Sequence, residues 1–131
     1  MYDRSYAYTK RAGGSVEEAA GRVRAALAEE GFGVLTEIDV QATLKAKLDV
    51  DRKPYVILGA CNPPLADQAL QAEPPIGVLL PCNVTVFEGD DGHTYVQAIN
   101  PVALFSIVEM PDVQPIAELV AEKIRRVLDS L

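Results

Sequence analysis

Cys82-Asn83-Val84-Thr85-Val86-Phe87-Glu88, then Gly89-Asp90-Asp91-Gly92, then His93-Thr94-Tyr95-Val96-Gln97-Ala98-Ile99 is the stretch that decides the fold. The two outer runs alternate apolar and polar residues with the period of two that a strand with one buried face requires, and the Gly-Asp-Asp-Gly between them has the chemistry of a hairpin turn. An antiparallel pair therefore sits in the second half of the chain. Upstream, Tyr55-Val56-Ile57-Leu58-Gly59-Ala60 is apolar on both faces, which predicts a strand with neighbours on either side. The connection through residues 62 to 81 is too short and too broken by proline to build a layer of its own. The strands at 54 to 60 and 82 to 88 are therefore expected to be neighbours in one sheet, with Cys61 and Cys82 at the same end.

Working outward, Ser15 and Glu18 form a capping box, and Val16, Ala19, Ala20, Val23 and Leu27 then trace a helical stripe that stops at Gly31. A second long helix is predicted at the other end. Val113, Ile116, Leu119, Val120, Ile124, Val127, Leu128 and Leu131 keep helical spacing there, and Asp112 stands where a cap is expected. Residues 2 to 9 alternate with Tyr2, Tyr6 and Tyr8 on one side, which reads as a first strand. Residues 32 to 38 read as a second. Asp39, Asn62-Pro63 and Asn100-Pro101 are start signals for short helices, since Asp and Asn side chains accept first-turn N–H groups and proline has none to lose. The order is strand, helix, four strands, helix. The expected fold is a single α+β domain over residues 1–131, a mostly antiparallel five-stranded sheet with two long helices on one face and short helices inserted between strands. The other face, with its tyrosines, calls for cover and points to a homodimer.

Charge narrows the partners. Residues 1 to 60 carry nine Lys/Arg and nine Asp/Glu, residues 61 to 131 three and ten, and no basic residue lies between Lys53 and Lys123. Nucleic-acid affinity rests on Lys and Arg neutralising phosphates, so no nucleic-acid partner is expected of a chain with net charge −7. No apolar run is long enough to span a membrane and the first residues lack a signal peptide's apolar core, so a soluble cytoplasmic protein without membrane partner is expected.

Candidate chemistry centres on two thiols. Cys61 stands where a buried strand meets a helix start, a place whose N–H groups and dipole favour a thiolate, although a free cysteine is equally a small core residue. Cys82 shares a strand face with Val84 and Val86 and reads as core. Asn62 and Asn83 follow the two cysteines, and Glu37 lies two residues from Asp39 on one strand face, where the two could act as a carboxylate pair or belong to a surface charge cluster with Lys45 and Lys47. The only histidine, His93, sits beside the hairpin turn. Phosphate-loop, Ser/His/Asp and His-based metal motifs are missing, so catalytic residues, metal and cofactor stay unassigned.

The segments Gly33-Val34-Leu35-Thr36-Glu37-Ile38-Asp39, Leu58-Gly59-Ala60-Cys61-Asn62-Pro63-Pro64 and Leu79-Leu80-Pro81-Cys82-Asn83-Val84 resemble signatures of the bacterial and archaeal domain of unknown function family 302. The resemblance covers nearly the whole chain. It implies a fold similar to the TATA-box-binding-protein-like class and supplies no activity, and a fold of that class does not imply nucleic-acid binding. Three readings stay open. One is a small-ligand or metal-binding module with a pocket around Cys61, Asn62, Cys82, Asn83 and Glu37. The second is a thiol enzyme of redox or sulfur-transfer type, and the third is a structural or interaction protein with inert cysteines.

Overall fold

The computed structural model describes residues 1–131. Its sheet is five-stranded and wholly antiparallel: β1 (Ala7–Ala12), β2 (Gly33–Asp39), β3 (Tyr55–Cys61), β4 (Cys82–Glu88) and β5 (Thr94–Ile99), in the order β1-β5-β4-β3-β2. The hairpin β4–β5 holds the middle. β3 pairs with β4 on one side and β2 on the other, as its doubly apolar sequence requires.

Two long helices, α1 (Val16–Glu29) and α5 (Gln114–Asp129), lie on one face. Their stripes, among them Val23, Leu27, Ile124 and Val127, close over Leu58, Val84, Val86, Val96 and Ala98 to form the main core. Burying each such side chain contributes about 1.5–3 kcal/mol. The capping box predicted at α1 is present, with Ser15 accepting from the Glu18 N–H and Glu18 accepting from the Ser15 N–H. Short helices α2 (Val40–Leu48), α3 (Pro63–Ala72) and α4 (Pro101–Phe105) start at Asp39, Asn62 and Asn100, whose side chains accept first-turn N–H groups as expected. Residues Pro74–Leu79 form a 3₁₀ turn. This turn, α3, α4 and the start of α5 enclose a second small core of Ala69, Ile76, Phe105, Val113 and Ala117. No helix is long and apolar enough to cross a membrane.

Two expectations fail locally. The first strand begins at Ala7, because the chain turns at Ser5–Tyr6 and the Ala7 N–H donates to the Arg4 carbonyl. The three tyrosines therefore share no stripe. Tyr2 packs edge-on against Phe87 and Tyr95 on the helix-free face, Tyr6 is exposed, and Tyr8 donates its hydroxyl to Asn100 Oδ1 at 3.1 Å. Asp112 does not cap α5. It lies inside a 3₁₀ turn, Pro111–Val113, that runs straight into the helix, so no side chain is needed at that junction.

Candidate functional site

The two cysteines meet at one end of the sheet. Ala60 of β3 is the Cα partner of Cys82 in β4, so Cys61, the next residue, ends its strand beside the start of the neighbouring one. β2 reaches the same place through a register shift between Val34 and Thr36 that leaves Leu35 unpaired and 68% exposed. Gly59 is required here by close approach. A Cβ on it would overlap the Thr36 hydroxyl and lie 2.9 Å from Pro81 Cγ.

Beyond this corner lies a cavity of about 310 Å³, bounded by β2, β3, α3, the Leu80-Pro81-Cys82 segment, Phe105 of α4, and Ile116 and Val120 of α5. It occupies the seam between the two cores. Phe32, Leu65, Cys82 and Val120 belong to the main core, and Ala69 and Phe105 to the smaller one. Thr36 and Asn62 are the only lining side chains with oxygen or nitrogen, and both thiols are in the wall. The volume sits at the low end of the about 300–1,000 Å³ of small-molecule pockets, and an apolar lining with a few polar groups is their usual character.

Each predicted site residue has a definite place. Cys61 lines the cavity and is half-buried. Cys82 lines it too and is buried; burial, with a smaller contribution from Cys61, pushes its thiol pKa up to about 11, so it is protonated at neutral pH. Asn62 is 9% exposed. Its Oδ1 accepts from the Leu65 N–H and its Nδ2 donates to the Glu30 carbonyl at 3.3 Å, so it is occupied in holding α3 against the end of α1. Asn83 does not line the cavity. Strand alternation turns it, exposed, to the opposite face of the sheet from Cys82.

Glu37 lies outside as well. It pairs with Arg24 of α1 in a separate polar groove that includes Ser15, Glu17 and Asp39. With Asp39 engaged in capping α2, the two carboxylates do not work as a pair.

The helix start expected to favour a thiolate offers no donor. Pro63 and Pro64 have no N–H, the Leu65 N–H is taken by Asn62 Oδ1, and the Ala66 N–H by the Asn62 carbonyl. No cluster of three or more His, Cys, Asp or Glu side chains is placed to hold a metal ion, so the two thiols have no third ligand. His93 is exposed beside its turn.

The residues that sequence reasoning did not single out are the cavity's apolar walls, Leu65, Leu70, Phe105, Ile116 and Val120. Their helical spacing marks Ile116 and Val120 as buried. What spacing does not encode is that the side chains around them fall short of filling the space.

The model of the family described as domain of unknown function DUF302 matches residues 8–131. The chain is also similar to the crystal structure of the uncharacterized conserved protein DUF302 from Bacillus stearothermophilus, at 30% identity and a TM-score of 0.89 over 96% of this chain and 98% of that one. No curated protein matches the chain. With a family model spanning all but the first seven residues, and a solved relative sharing the whole architecture, the chain belongs to the DUF302 family.

Proposed function

We propose that the protein is a binding module for a small apolar molecule held in the cavity beside Cys61 and Cys82. The observation that carries this reading is the cavity itself: a half-open pocket of about 310 Å³ with almost wholly apolar walls, at the junction of two cores. The pocket is open to solvent on one side, so its apolar wall is left facing water, and an apolar molecule seated there would remove that surface from water. The thiol-enzyme reading draws less support, since Cys82 is held protonated and the helix start offers Cys61 no N–H donor. The metal reading lacks a third ligand.

The test is titration with a neutral, environment-sensitive apolar dye. Saturable binding of one dye per chain is expected, lost in Ala66→Phe, which places a ring in the cavity from a half-buried position on α3. Absence of saturable binding to a folded protein would overturn the reading.

The same reading keeps the homodimer. Leu35 and Ile38 are exposed on β2, an edge strand whose outer backbone is unpaired, and such edges invite pairing unless covered. Two free thiols fit a reducing compartment such as the cytoplasm. The element order also supports assignment to the TATA-box-binding-protein-like fold class.

A further inference from the structure

We infer that the cavity selects uncharged apolar ligands over carboxylates of the same length. This rests on the ligand-binding reading above and names the class of ligand. An acyl-chain acid bound in an apolar pocket needs a cation or a set of N–H donors for its head. Neither is available here. No Lys, Arg or His lines the cavity, and among the elements that bound it β2, β3, β4, α3 and α4 carry no basic residue at all.

Two of the three bases on α5 are already engaged. Arg126 makes an ion pair with Glu30, with Nε and Nη2 both donating to Oε1 at 3.1 and 2.9 Å. Lys123 makes no ion pair and does not line the cavity, and the Glu30 carboxyl is held below its usual range chiefly by the Arg126 hydrogen bond. Arg125 lies over the Tyr8 ring, 5.8 Å from its centroid. Arg24, on the neighbouring α1, is paired with Glu37.

Donors are equally scarce. The first turn of α3, the one long enough to present free N–H groups to the cavity, has none left after Pro63, Pro64 and the Asn62 cap. Apart from those on α5, the charges on the bounding helices and strands at this end, Glu37 and Asp39 of β2 and Asp67 of α3, are acidic and oppose an anion. A carboxylate drawn into these walls would lose water without gaining a partner, whereas an alcohol has one hydroxyl to satisfy, and Thr36 or the Cys61 thiol is at hand.

The experiment compares 1-octanol with octanoate at pH 8, both as competitors of the neutral dye and as protectants of Cys61 against iodoacetamide, with the alkylated cysteine identified by peptide mass spectrometry. Octanol should compete and slow Cys61 alkylation, and octanoate should bind at least roughly tenfold more weakly. Leu70→Lys places a cation at the cavity wall from a position 40% exposed on α3, with Leu70→Gln as the uncharged control. The lysine variant should narrow or reverse the preference, and the glutamine variant should leave it in place. Octanoate binding as tightly as octanol to the unaltered protein would overturn charge selection while leaving the ligand-binding reading intact. If neither compound competes nor protects Cys61, the binding reading itself falls, and this inference with it.

Discussion

Replacing Cys82 by alanine should flatten the alkaline limb of the protein's stability curve. Burial lifts the Cys82 thiol from an ordinary value of 9.0 to about 11, with Cys61 adding to the shift. One pKa unit corresponds to about 1.4 kcal/mol, so the shift is worth about 2–3 kcal/mol once the thiol of the unfolded chain has ionised. The sign follows from proton counts. Below pH 9 both states hold the proton and the contribution is fully present. Between 9.0 and about 11 the unfolded chain releases it while the folded one keeps it, so stability falls as pH rises.

Tyr95, raised by its hydrogen bond to Asp91, and Lys45, raised by Asp49 and Asp51, titrate on the same side, so the wild-type curve alone is ambiguous. The difference between wild type and Cys82→Ala removes them. The alanine variant loses packing at every pH, an offset of about 1 kcal/mol, and between pH 9 and 11 the difference should move by about 2 kcal/mol in its favour, closing the gap and reversing its sign. Urea unfolding under reducing conditions at pH 7, 9, 10 and 11 measures it. Parallel curves with a constant gap would refute the reasoning, because a thiol open to water titrates alike in both states.

Three further outcomes are expected. Gly59→Ala should destabilise the fold by about 1–3 kcal/mol, since its Cβ would meet the Thr36 hydroxyl and Pro81, and Thr36→Ala in the same chain should recover part of the loss in thermal unfolding. Asn62→Ala should cost about 1–2 kcal/mol, because it removes the α3 cap and the bond to the Glu30 carbonyl together, and backbone amide exchange should quicken first in residues 65 to 68. Light scattering should give a mass of twice 14.1 kDa, with Leu35→Lys or Ile38→Lys shifting it toward the monomer; a single 14.1 kDa species across a wide concentration range would remove the dimer.

Most of the fold was legible because its signals are local. The capping box at Ser15, the Asn-Pro starts at 62 and 100, and the alternation across the 82–99 hairpin each report the state of a few adjacent residues, and the structure agrees at all of them. The alternation of residues 2 to 9 misled, because a turn at Ser5–Tyr6 interrupts it and no Gly, Pro or Asn marks that turn. The juxtaposition of Cys61 and Cys82 was readable from the short, proline-broken connection between their strands. Asn83 and Glu37 were not separable from them by sequence neighbourhood. Strand alternation places Asn83 on the far face of the sheet, and the partner of Glu37 comes from α1, thirteen residues away. The cavity was beyond reach of pattern because it depends on the summed volumes of side chains from β2, β3, α3, α4 and α5.

The most direct test of the central claim is a crystal structure of the protein soaked with 1-octanol. The account predicts density for one alkyl chain between Leu65, Phe105 and Val120, with its hydroxyl toward Thr36 or Cys61 at the open corner. A cavity filled by rearranged side chains, or octanol bound only elsewhere on the surface, would contradict it.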